Sequence, residues 1–172
     1  MRVVAGDLGG RRLIAPPGRS TRPTTDRVRE AVFNSLESSG LLEGALVADL
    51  FAGSGAIGIE ALSRGAARCT FVERDREALR ALEANLDSLD LVARSRVVRA
   101  DALSVAGTID ADIVFADPPY ELDAWERLLT TVRAPLLVAE GGRAVEPVTG
   151  WTATRARRYG HTWVTFLTRD ES

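Results

Sequence analysis

A chain of 172 residues, 45% hydrophobic and 27% charged, holds enough apolar material for one domain with its own core and too much for a disordered segment. The absence of an apolar run of about eighteen residues argues against a membrane-spanning helix, and the glycine-rich start MRVVAGDLGG lacks a signal peptide's apolar core. The single cysteine, Cys69, excludes an intrachain disulfide and, without companion ligands, a zinc cluster, while a net charge of −2 excludes a uniformly basic protein. The expected compartment is the cytoplasm.

Taken in chain order, residues 2–15 read as a hairpin: Arg2-Val3-Val4-Ala5, a turn over Gly6 to Gly10, then Arg11-Arg12-Leu13-Ile14-Ala15. Pro16-Pro17-Gly18 breaks it. Residues 25–38 form a helix, with Thr25 or Asp26 as N-cap and Val28, Val32 and Leu36 on one face. Ala45-Leu46-Val47-Ala48 is a short apolar strand. Ile57 to Arg64 continues as a helix that Gly65 can end. Cys69-Thr70-Phe71-Val72 is the next strand, with Cys69 packing inside it. Residues 76–89 are helical, with Leu79, Leu82, Leu86 and Leu89 as the core stripe.

Further along, Arg96 to Ala100 is a strand ended by Asp101, and Ile113-Val114-Phe115-Ala116 is a buried strand. Trp125 to Val132 is a helix, and Gly142 to Glu146 is expected as the fifth strand. Thr152 to Tyr159 and Thr162 to Thr168 close the chain as a hairpin around Gly160, with His161 structural in its turn. The alternation of strands and helices predicts a doubly wound α/β fold without repeats or linkers.

The segment Asp49-Leu50-Phe51-Ala52-Gly53-Ser54-Gly55-Ala56-Ile57-Gly58 joins a strand to a helix and spells GxGxxG at Gly53, Gly55 and Gly58. That is the nucleotide-binding turn of an open parallel sheet. Glu73, about twenty residues past the first glycine, ends the following strand and suits a ribose diol. A nicotinamide-dependent dehydrogenase would fit this much. Asp49 argues against it, because a carboxylate at the mouth of the loop repels a pyrophosphate. One sheet also uses nearly the whole chain, leaving no domain for a hydride acceptor. S-adenosylmethionine fits better: a nucleoside for Glu73 and an ammonium and sulfonium for an acidic loop. The plain alternatives are a strand-end cap for Asp49 and a surface carboxylate for Glu73.

Asp117-Pro118-Pro119-Tyr120 follows the buried strand at 113–116. A carboxylate and a backbone carbonyl there can accept both N–H groups of an exocyclic base amine. That draws the amine's lone pair out of conjugation. Prolines restrict the surrounding backbone, and a tyrosine ring can stack on the base. A proline-stiffened turn with a capping Asp is the plain alternative.

Charge is unevenly distributed. Residues 1–30 carry seven arginines against three acids, residues 31–142 carry ten against eighteen, and residues 143–169 carry five against one. Two basic ends therefore flank an acidic middle, and phosphate contacts need local rather than global charge. An ordinary solvated surface would also account for those arginines.

The runs RPTTDRVRE (22–30), DLFAGSGAIGIEALSRGA (49–66), VERD (72–75), ADAL (100–103) and DPPY (117–120) together resemble the bacterial 16S ribosomal RNA guanine-N2 methyltransferases. The similarity extends from the first residues to the final strand, with no departure at the motif positions. It implies a Rossmann-like, S-adenosylmethionine-dependent methyltransferase domain over residues 25–172, preceded by a hairpin and basic arm over residues 1–24. It implies cofactor contacts at Asp49, Phe51, Ala52, Gly53, Gly55, Glu73, Arg74, Asp101 and Ala102, with Thr25 and Asp26 either closing over the methionine end or merely capping a helix. Asp117, Pro118 and Tyr120 would act on the target amine. Pro119, Tyr120, Arg11, Arg12 and Arg22 would bind substrate. No metal is expected. The implied partner is 16S rRNA, within the small subunit or an assembly intermediate, and the implied state is a monomer. A DNA adenine-N6 methyltransferase shares the DPPY chemistry but needs a target-recognition domain for which there is no room. A non-catalytic RNA-binding assembly factor fits the intact motifs less well.

Overall fold

The computed structural model of the protein describes residues 1–17 and 25–172. Arg22, and with it most of the expected arm, lies outside the described residues. The element order is α1 (Asp26–Ser38), β1 (Leu46–Leu50), α2 (Ala56–Ser63), β2 (Arg68–Glu73), α3 (Arg76–Ser88), β3 (Ser95–Arg99), α4 (Ala102–Val105), β4 (Ile113–Ala116), α5 (Trp125–Thr131), β5 (Leu136–Gly141), β6 (Trp151–Tyr159) and β7 (Thr162–Arg169). One seven-stranded sheet runs β3-β2-β1-β4-β5-β7-β6. The first five strands are parallel, and β7 and β6 are antiparallel additions at one edge.

The period-2 alternation of each inner strand sorts its side chains between two cores. Val47, Phe71, Phe115 and Val138 face α1, α2 and α3, together with Phe33, Leu62 and Leu82. Ala48, Leu50, Val72, Val114 and Leu137 face α4 and α5, together with Leu128 and Leu129. Both faces being covered explains why these strands read as unbroken apolar runs.

Most expected elements fall within a residue or two of their observed bounds. Thr25 caps α1 by accepting from the Val28 amide at 3.2 Å, and Gly65, at φ +110°, ends α2. Gly58 shows why the loop's third glycine is needed: a Cβ there would lie 2.3 Å from Cε1 of Phe71 and 2.6 Å from Sγ of Cys69. The expectation for the fifth strand is corrected. Residues 142–146 are irregular, and the strand is Leu136–Gly141. The apolar run Leu136 to Ala139 is buried on both faces, as an inner strand requires, whereas Gly142, Arg143 and Glu146 are exposed.

The N-terminal hairpin pairs through a single bridge, Arg2 to Arg12. It packs closely on the domain. Val3 and Leu13 enter the core beneath α1, α2 and α3. Glu60 of α2, fully buried, accepts from the amides of Val4 at 2.8 Å and Ala5 at 3.1 Å. It also accepts from Nε of Arg64 at 2.9 Å and lies 3.9 Å from Arg29, both buried. Asn85 of α3, fully buried, joins Ile14 to the glycine loop, accepting from the Ile14 amide and donating to the carbonyls of Ile14 and Ser54.

Candidate active site

Strand order reverses between the parallel neighbours β1 and β4, since β2 and β3 lie on one side and β5 on the other. Ligands of open α/β sheets bind at the strand carboxyl ends beside such a point. Here an acid lies within two residues of the carboxyl end of each parallel strand: Asp49, Glu73, Asp101, Asp117 and Glu140.

Glu73 ends β2 facing the glycine loop. Its carboxylate accepts from the amide of Gly53 at 2.8 Å and from those of Arg74 and Asp75 at 2.9 Å each. These donors fix its orientation while it stays half-exposed, with a lone pair on Oε2 left for a ribose hydroxyl. The loop beside it holds two left-handed residues in three, Phe51 at φ +59° and Gly53 at φ +56°. For a phenylalanine that conformation is uncommon, and such residues cluster at ligand-binding turns. A Cβ on Gly53 would meet nothing within 4 Å among the described residues, so the loop backbone there leaves space in which a nucleoside can lie. The residues therefore fit an adenosyl cofactor.

Asp101 and Ala102 stand at the end of β3, beside β2. Asp101 occupies the N-cap position of α4 and accepts from Oγ of Ser104 at 3.1 Å. Arg74 is exposed next to Glu73, and Ala52 and Ala102 are buried. Thr25 and Asp26 open α1, where Asp26 pairs with the buried Arg29.

Asp49 is almost wholly buried and accepts from the Gly58 amide at 2.9 Å. Burial pushes its pKa up to about 8; the Gly58 hydrogen bond opposes this, and the charges of Glu73 and Glu140 add to it. It lines a small cavity together with Asp117, Glu140, Ile57 of α2, Val32 of α1 and Val164 of β7. Burial also raises the Cys69 thiol, with the Asp49 charge adding to the effect, which suits a packing residue and not a nucleophile.

Asp117 follows β4 on the α1 face and Pro118 is buried beneath it, while Pro119 and Tyr120 are exposed. The Tyr120 ring is 49% exposed and lies against Gly142, where an added Cβ would stand 3.8 Å from it. The fold thus brings Asp49, Phe51 to Gly55, Glu73, Asp101, Asp117 and Tyr120 to one edge. It does not bring Arg11 there. That side chain donates to the carbonyl of Ser88 at 3.2 Å, at the end of α3 remote from the strand carboxyl ends. Arg12 is exposed on the same hairpin.

Sequence reasoning missed Glu140. Its signal was present, because Leu136-Leu137-Val138-Ala139-Glu140 repeats the apolar-run-then-acid pattern of β1, β2 and β4.

The family profile described as "Conserved hypothetical protein 95" matches residues 1–168. The chain belongs to this family. A Bacillus subtilis relative, YlbH, provisionally named an rRNA methyltransferase, is 41% identical over 95% of this chain and 96% of its own length. The Escherichia coli "Ribosomal RNA small subunit methyltransferase D" is 43% identical over 70% of this chain, an alignment spanning 60% of that relative. The solved E. coli structure of yhhF, provisionally called a methyltransferase, superposes with a TM-score of 0.84 at 34% identity, covering 99% of this chain and 98% of the other. The resemblance carried by the motifs is thus borne out at the level of family, and the Rossmann-like methyltransferase fold with it.

Proposed function

We propose that this protein transfers a methyl group from S-adenosylmethionine to the exocyclic N2 amine of a guanine in 16S rRNA, acting on the small subunit or its assembly intermediate. The observation that carries this reading is Asp117 with its two prolines at the switch-point strand, on the same edge as Glu73 and the open glycine loop. The named relatives supply the substrate class.

When bound, the cofactor would supply an activated methyl carbon on a sulfonium. Glu73 would hold the ribose hydroxyls, and Asp101 with the Ala102 amide the adenine. Asp49 would offer negative charge towards the cationic amino-acid end. The chain's remaining task is alignment. Asp117 and the Pro118 carbonyl accept the two N–H groups of the guanine amine and aim its lone pair, while Tyr120 stacks on the base. No strong base is required, because the amine proton becomes acidic only as the N–C bond forms. Asp117 would receive it. A base inside a helix is unreachable, so the target must be unpaired or flipped.

The test is transfer of label from methyl-tritiated cofactor to small-subunit particles, naked 16S rRNA and duplex DNA. Label in rRNA guanine, greatest in the particle, is the expected result. Label in duplex DNA adenine alone would overturn it.

A further inference from the structure

We propose that the tip of the β6–β7 hairpin grips the RNA strand flanking the target base, with Arg157 and Arg158 as phosphate contacts. This rests on the rRNA-methyltransferase reading above and assigns it a docking surface.

Sheet register locates the tip. Glu140 of β5 pairs with Val164 of β7, and Val164 pairs with Arg157 of β6; Gly141, Trp163 and Arg158 form the next row. Strands lie about 4.8 Å apart, so Arg157 sits about 10 Å from Glu140 and one strand further from the end of β4. A few nucleotides span that distance. Both arginines are exposed and Trp163 is half-exposed. Strand alternation points Arg157 to the α1 face, like Arg155, whose guanidinium donates to Oγ of Ser35. Arg158 points to the other face, and its Nε donates to the carbonyl of Gly160 at 2.7 Å. That bond fixes the guanidinium over the turn without using its terminal nitrogens. The pair therefore offers charge on both faces of the outermost strand.

Electrostatics require such a rim. The cofactor and amine sites are ringed by Glu73, Asp101, Asp117 and Glu140, so the site itself repels a polyanion. Cations must hold the backbone beside it. In the described part of the N-terminal hairpin, Arg2 and Arg11 donate to carbonyls of the chain itself, and Arg11 does so at the far end of α3. The β6 arginines stand on the same edge as Tyr120. Arginines on an outer strand also discourage edge-to-edge pairing, a role that would leave no salt-dependent signature in RNA binding.

The experiment measures affinity for undermethylated small-subunit particles against salt, using the full chain. Arg157→Ala/Arg158→Ala should bind the cofactor as the unaltered protein does. Its log-affinity against log-salt slope should become shallower by about 1.4–1.8, a loss of about four- to sixfold per contact at 0.15 M salt. Arg157→Lys/Arg158→Lys should keep most of the slope. An unchanged slope in the alanine variant, or a larger loss from Arg11→Ala/Arg12→Ala, overturns the proposal. Lost affinity without a change in slope also overturns it, since that marks a protein contact. If the unaltered protein neither binds nor methylates the particle, the rRNA reading itself falls and the inference with it.

Discussion

At the N-terminal end, Arg2 donates to Gly10, Arg11 donates to Ser88, and the hairpin backbone is held by Glu60 and Asn85. At the C-terminal end, Arg157 and Arg158 stand exposed on the edge where the parallel strands finish. The two ends carry the same excess of positive charge in the sequence. They differ in which end of the parallel sheet they reach. The described N-terminal part runs back along α2 and α3 and is bound into the fold. The tail hairpin runs antiparallel to β5 and delivers its tip to the reactive edge. Charge clustering along a chain thus reports a partner only after topology says where the cluster lands.

The largest effect is expected at the anchored end. Glu60→Ala leaves Arg29 and Arg64 buried without their shared carboxylate and frees the amides of Val4 and Ala5. Breaking a buried pair in this way costs about 3–5 kcal/mol. Denaturant unfolding should show that loss, and a change under about 1 kcal/mol would mean that the hairpin is not bound into the core. At the reactive edge the pattern should invert. Asp117→Ala should lower turnover on the order of 10²-fold or more, with little loss of stability. Single-turnover methylation with denaturation of the same sample separates the two, and Tyr120→Phe should be mild beside Tyr120→Ala.

Glu73→Ala comes next. Loss of charge-assisted hydrogen bonds worth about 1.5–3 kcal/mol should weaken cofactor binding by roughly one to two orders of magnitude. Calorimetry showing undiminished binding would remove the ribose assignment.

Asp49 gives the most pH-dependent effect. Its folded pKa of about 8 lies above the ordinary 3.8, so the folded state holds the proton more tightly than the unfolded one. The stability contributed by this group is full below pH 3.8 and is lost as pH rises through about 8. Asp49→Asn retains an acceptor for the Gly58 amide and has no proton to lose. Its melting temperature should therefore gain on the parent between pH 5 and pH 8 and hold that gain above. A cationic cofactor favours the carboxylate, so binding to the parent near pH 7 should release a proton. Calorimetric enthalpies in buffers of different ionisation heat would reveal the release. A gap in melting temperature that does not vary with pH would contradict the assignment.

The fold was legible wherever one physical signal dominated. Apolar runs buried on both faces gave β1, β2 and β4, and the leucine stripe of α3 gave its helix. The fifth strand was misplaced because Gly142 to Glu146 also carries apolar residues, and only the two-sided burial of Leu136 to Ala139 decides between them. Glu140 was lost with that strand. Asp49 and Asp117 were legible because glycine and proline punctuate their strand ends, and Glu73 because it ends an apolar run 20 residues past Gly53. The far-side placement of Arg11, the left-handed Phe51 and the Glu60 and Asn85 anchors depend on contacts between residues more than thirty apart in several cases, and no local pattern encodes those.

The central claim is that Asp117 presents a small-subunit rRNA guanine for methylation. The most direct measurement is mass mapping of methylated nucleotides in 16S rRNA from cells lacking this protein, then supplied with either the unaltered chain or Asp117→Ala. The account predicts one N2-methylguanine that disappears without the protein, returns with the unaltered chain and fails to return with Asp117→Ala. An unchanged methylation map in the deficient cells, or full restoration by Asp117→Ala, would contradict it.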